Sequence, residues 1–115
     1  MIRVLDLSES CREALAHIKN KLNEGQFEET SSLMSDVVEG FYHLEKALKN
    51  LLEQLPINNI EHFMQQLLRF LEQIVIAYEQ NNPGQVQEEL QFNLQPASQS
   101  LHHELESAFR SYTLP

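Results

Sequence analysis

The sequence contains little of what several protein classes require. Tryptophan is absent, and only one cysteine, three glycines and four prolines occur among 115 residues. So few glycines and prolines disfavour an all-β chain, which needs a turn about every 8 to 12 residues. A single cysteine, Cys11, excludes a disulfide within the chain. We therefore expect a protein of the reducing cytoplasm.

Basic residues are also scarce. The chain has eight Lys and Arg residues and 17 Asp and Glu residues, which gives a net charge of −9. Because phosphate backbones and anionic lipid surfaces repel such a chain, we expect neither nucleic acid nor membrane as a partner. The longest apolar run, "IVIAY" at 74–78, is far shorter than the roughly 20 residues of a membrane span. The N-terminus lacks the basic and apolar regions of a signal peptide.

Most of the chain shows the periodicity of apolar residues that is typical of α-helices. In the second predicted helix, apolar residues and one threonine recur at alternating steps of three and four from Phe27 to Leu55. This is a heptad pattern of one buried face. The third helix has a broader apolar arc, which predicts contacts with more than one neighbour. The sequence thus predicts one domain, 1–115, with four helices at approximately 6–24, 27–55, 59–81 and 83–112.

Short connections between these helices predict the fold. Helices joined by a few residues pack as antiparallel neighbours, so we expect an all-α antiparallel four-helix bundle of two helical hairpins. Pro96 should kink or break the fourth helix, because it lacks an N–H to bond the carbonyl of Phe92. "NEGQFEET" (23–30) and "NPGQVQEE" (82–89) resemble each other at a shift of 59. This echo indicates either an internal duplication or two similar turns that arose independently.

No catalytic motif is present, so we predict no catalytic residue, no cofactor and no enzymatic activity. Carboxylate-bridged di-iron bundles need Glu-x-x-His motifs, and no glutamate stands three residues before any histidine. Cys11 lies on an apolar helix face, where a thiol is unreactive. The best metal-ligating cluster is "LHHELE", with His102, His103 and Glu106. We expect these three side chains to lie at the surface, where solvated ion pairs explain them better than a metal site does, so we predict no metal site.

Two sets of residues are candidates for contact with a partner protein. Acidic side chains lie along the first part of the second helix, where they either stabilise its N-terminus or attract a basic partner. Large apolar side chains are candidates for an exposed patch, and Phe92 either packs beneath the proline kink or stays open. The acidic set is Glu28, Glu29, Asp36 and Glu39, and the apolar set is Phe41, Leu48, Phe63, Phe70 and Phe92.

In length, acidity and helicity the chain resembles small bacterial helical adaptors and export chaperones, including those that serve flagellar subunits. That resemblance implies a groove between long helices that receives an amphipathic segment of a partner. We therefore predict a non-enzymatic, chaperone-like interaction module. Two alternatives stay open at this point. One is a bundle that binds a metal or small molecule, and the other is a structural module that forms a homodimer.

Overall fold

The computed structural model describes residues 2–52 and 59–113, with side chains for 4–50 and 59–110. The described residues form four helical rods, which confirms the predicted antiparallel four-helix bundle. The fourth rod joins two α-helices through a π-helical turn. The elements are α1 (Ile2–Asn23), α2 (Phe27–Leu52), α3 (Ile60–Glu79), α4 (Pro83–Glu89), the π turn (Leu90–Leu94) and α5 (Gln95–Thr113).

The helix ends differ from the predicted ones mainly at α1. The first helix includes Ile2 and so begins before residue 6, where we predicted its start. Val4 explains the difference, because it is buried one turn before Ser8 and extends the apolar face towards the N-terminus. The predicted end of the second helix, at residue 55, lies outside the described residues.

The core is formed by one face of each helix. On α2 the buried positions follow the heptad pattern from Thr30 to Leu48, with Phe27 half-buried at its start. The predicted members Leu51 and Leu55 have side chains outside the described residues. The largest fully buried side chains are Phe41, Leu15, Ile18, Leu44, Leu48, Ile60, Leu67, Leu71, Ile74, Leu90, Leu94 and Leu101.

Helices α1 and α2 approach closely at Gly40. A Cβ atom at this position would lie 3.1 Å from the Cys11 sulfur, which is closer than ordinary van der Waals contact. Cys11 is itself only 4% exposed and has little room to move. Glycine therefore permits the two helices to pack closely at this position, despite its cost of about 1 kcal/mol in helix propensity.

The fourth rod stays continuous past Pro96, which cannot donate the usual backbone hydrogen bond. Instead, the Gln95 N–H donates to the Leu90 carbonyl in the wider π pattern. A π turn inserts one residue into the helix and is a known site of bending. The predicted distortion is thus present as a π turn directly before the proline, rather than as a break.

The turns of the two hairpins have the same geometry. In the first, the N–H groups of Glu24, Gly25 and Gln26 donate to the carbonyls of Asn20, Leu22 and Lys21. The second turn has the equivalent bonds 56 residues later. There the N–H groups of residues 80, 81 and 82 donate to the carbonyls of residues 76, 78 and 77. The residues with positive φ, Gly25 and Asn81, correspond at the same shift. The sequence echo at 59 is therefore three residues out of structural register.

The same equivalence extends along both hairpins. Each buried position of α1 from Val4 to Ile18 has a buried counterpart 56 residues later in α3. Thr30 and Met34 correspond in this way to Val86 and Leu90. The π turn adds one residue, so the shift becomes 57 from its last residue, Leu94, onwards. The buried pairs there are Val37 and Leu94, Phe41 and Ser98, Leu44 and Leu101, and Leu48 and Leu105. Each surface position in one hairpin therefore has a counterpart in the other.

Candidate functional site

An apolar groove runs between α2 and α3. Its central side chains are Val38 and Tyr42 from α2 and Val75 and Ile76 from α3. Tyr42 and Ile76 are each 44% exposed, although both are large hydrophobic residues. We call the surface lined by these four side chains the apolar groove. A continuous exposed apolar surface of this kind is characteristic of interaction sites.

One end of the apolar groove is closed by a cluster around Tyr78. The Tyr78 hydroxyl is 2.8 Å from the Thr30 hydroxyl, and its ring stacks on Phe27 with centroids 5.2 Å apart. Burial raises the pKa of the Tyr78 hydroxyl above its usual value, and the hydrogen bond with Thr30 partly offsets this shift. These contacts hold the start of α2 against the end of α3 and fix the groove at that end.

The charged residues that line the apolar groove are acidic. Glu72 and Glu79 extend from α3 and are both exposed. On the facing side, Ser31 and Ser35 of α2 are polar and uncharged. The groove therefore has an apolar floor with a negative edge along α3.

The equivalent surface on the other side of the bundle is polar. There, Gln95 and Gln99 of α5 take the positions of Val38 and Tyr42 and line a depression against α1. Lys19 and Asn20 of α1 occupy the positions of Val75 and Ile76. We call this surface, between α1 and α5, the polar groove. Because the fold accommodates polar side chains at these positions, helix packing does not require the apolar ones between α2 and α3.

The aromatic and leucine candidates from the sequence lie in three different environments. Phe41 and Leu48 are 0% and 1% exposed, so a partner that binds the folded bundle does not reach them. Phe63 and Phe70 are half-buried against the core. Phe92 projects from the π turn with 68% exposure, so it is open rather than packed beneath the kink.

The acidic candidates are exposed, but they lie away from the apolar groove. Glu28 and Glu29 are in the first turn of α2, and Glu29 pairs with Lys21 at 3.5 Å. Glu39 is 3.9 Å from the ring of His43, and Asp36 is exposed on the same helix. None of these carboxylates lines the groove.

His102 is buried, contrary to the expected surface position. Its Nδ1 is 2.9 Å from the Ser8 hydroxyl, and its Nε2 is 3.1 Å from Glu9. Glu106 is farther away, 3.6 Å from Nε2. This cluster links α5 to α1. His103, the next residue along the helix, is exposed.

The arrangement around His102 gives little support for a metal site. Glu9 is already bound by Arg12 at 2.8 Å, and this fixed positive charge opposes a divalent cation at the same oxygen. In the part of the chain that the structure describes, no three His, Cys, Asp or Glu side chains are placed to hold a metal ion together.

Cys11 provides a test of the packing between α1 and α2 through pH. Burial raises the pKa of its thiol from 9.0 to about 11. Since the folded state holds the proton more tightly, this contribution to stability is complete below pH 9 and decreases as pH rises towards 11. We expect the wild type to lose about 2 kcal/mol more stability than Cys11→Ala between pH 8 and pH 10.5, as measured by urea denaturation. Parallel losses in the two proteins would contradict the burial of the thiol.

The fold and groove define a class of protein, an all-α four-helix bundle with one apolar and one polar groove. Among the described residues, each helix is too short or too polar to span a lipid bilayer. A family model described as "Domain of unknown function (DUF8042)" matches residues 1–104, and the chain belongs to this family. No curated protein and no solved structure matches the chain.

Proposed function

We propose that this protein is a non-enzymatic interaction module, an adaptor or chaperone-like protein that binds an amphipathic helical segment of another protein. The binding site in this proposal is the apolar groove. The observation that carries the proposal is the contrast between the two equivalent grooves, because only the apolar groove presents large apolar side chains to solvent. In the polar groove Leu15 is buried and the exposed apolar residue is the small Ala16. Exposure of the apolar surface of Tyr42 and Ile76 to water is unfavourable, so its burial by a partner is favourable.

The dimensions of the groove suit a helical ligand. On α2 its lining extends from Ser31 to Tyr42, which at 1.5 Å per residue is about 16 Å. A bound helix would cover this length with roughly three turns. Its apolar residues at positions i, i+3 or i+4 and i+7 would then contact Val38, Val75 and Ile76.

A partner protein is favoured over a second copy of this chain. Two copies joined through their apolar grooves would bring together four carboxylates, because each copy contributes Glu72 and Glu79. Like charges brought together at an interface are costly. A homodimer through this surface would also make the mass measured by sedimentation depend on concentration, whereas the proposal predicts a monomer.

The proposal is tested by nuclear magnetic resonance of methyl groups during titration with a synthetic peptide. The peptide is an amphipathic helix of about 18 residues with leucines at i, i+3, i+4 and i+7 and neutral glutamines elsewhere. We expect shifts at the methyl groups of Val38, Val75 and Ile76. A scrambled peptide of the same composition is the control and should cause none. Absence of shifts in the groove, or shifts only at other methyl groups, would contradict the proposal.

A further inference from the structure

We infer that the partner segment carries basic residues along one flank, two helical turns apart, where they face Glu72 and Glu79. This inference rests on the proposed function, because it specifies the chemistry of the segment that the apolar groove receives. A basic flank also agrees with the net charge of −9, which attracts cationic segments at long range.

The two carboxylates lie along the groove at a spacing that a bound helix can match. Glu72 and Glu79 belong to the same helix and line the groove together with its apolar side chains. Seven residues separate them in the sequence, which corresponds to two turns and about 10.5 Å along α3. A bound helix would match this spacing with Lys or Arg residues at positions i and i+7.

The polar groove has no charge at the positions of these two carboxylates. The residues of α1 equivalent to Glu72 and Glu79 are Ala16 and Asn23, which carry no charge. At these two positions the apolar groove therefore carries carboxylates and the polar groove does not. The polar groove has its own carboxylates, Glu9 and Glu13, at other positions and next to Arg12, which pairs with Glu9. Within the described residues, neither Glu72 nor Glu79 forms an ion pair, so both carboxylates are available to a partner.

The expected electrostatic effect is moderate. Exposed ion pairs contribute little individually and are screened by salt. Two of them together should change affinity by about tenfold at low ionic strength, mostly through the association rate. The apolar contacts should account for the remaining affinity, which should vary little with salt.

The test uses three peptides with the same apolar residues and different flanks. Two flanking positions seven residues apart carry Lys in the first peptide, Gln in the second and Glu in the third. Calorimetric titration of the wild type should give an affinity about tenfold higher for the Lys peptide than for the Gln peptide, with the Glu peptide weakest. In the Glu72→Lys/Glu79→Lys protein this order should reverse.

The control is Glu24→Lys/Glu88→Lys, which makes the same change in net charge at exposed positions outside the groove. This variant should keep the wild-type order of the three peptides. Equal binding of all three peptides to the wild type, at the groove methyl groups, would overturn the inference and leave the proposed function standing. Failure of every peptide to bind the groove would overturn the proposed function itself.

Discussion

Replacing Phe41 with alanine is expected to lower the free energy of unfolding by about 3–5 kcal/mol. The side chain is 0% exposed in the centre of the core, and its removal both loses buried apolar area and leaves a cavity. Because small domains have a total stability of roughly 5–15 kcal/mol, this single change should bring the bundle close to unfolding. Urea denaturation followed by circular dichroism measures the effect.

The matched control is Phe92→Ala. This replacement makes the same chemical change at a side chain that is 68% exposed, and its effect should stay within about 0.5 kcal/mol. Both phenylalanines were candidates for partner contact on sequence grounds, and the structure assigns them to opposite environments. Similar losses of stability in the two variants would contradict that assignment.

Replacing Tyr42 with glutamine and Ile76 with asparagine should abolish most peptide binding while the bundle stays folded. These are the residues that the polar groove has at the equivalent positions, Gln99 and Asn20. Both replaced side chains are 44% exposed, so we expect a loss of stability of no more than about 1 kcal/mol. Losing two apolar contacts in the complex should reduce affinity at least about tenfold, since each tenfold step is about 1.4 kcal/mol.

The appropriate comparison for this variant is Phe92→Gln, which removes an exposed aromatic side chain from outside the groove. Peptide affinity should be unchanged in that protein. If Tyr42→Gln/Ile76→Asn kept wild-type affinity while Phe92→Gln lost it, the binding surface would be at the π turn instead. Denaturation curves for both variants separate a loss of binding from a loss of folding.

The fold was predictable because its determinants are local in sequence. The spacing of apolar residues in α2 identifies its buried face from Thr30 to Leu48. Short turns fix the antiparallel order, and Pro96 locates the distortion of the fourth helix. The structure adds the form of that distortion, a π turn, since the sequence pattern alone does not distinguish a kink from an added residue.

The apolar groove could not be predicted in the same way. Phe41 and Tyr42 are neighbours in sequence, yet about 100° of helix rotation places one in the core and the other at the groove. The apolar spacing assigns Phe41 to the buried face, but how much of Tyr42 remains exposed depends on how closely α2 and α3 pack. The breadth of the apolar arc on α3 was the available signal, and Val75 belongs to that arc, whereas Ile76 lies outside it.

The burial of His102 depended on partners distant in sequence. Ser8 is 94 residues away along the chain, and it approaches the ring only when α1 and α5 pack together.

The similarity of the two turn segments at a shift of 59 did not give the structural register of the two hairpins. Similar residues occur at both turns, but the backbone hydrogen bonds of the two turns correspond at a shift of 56 residues. The similar sequence segments therefore begin at different positions within equivalent turns.

We propose that the apolar groove binds a segment of another protein. Site-specific photo-crosslinking in cells that naturally express this protein can detect that contact. A photoreactive amino acid replaces Ile76 in one protein, Asn20 in a second and Phe92 in a third, all at exposed positions. We expect an adduct from position 76 alone, with the attached peptide mapping to an amphipathic segment of another protein that has a basic flank. Adducts from position 20 or 92, with none from 76, would contradict it.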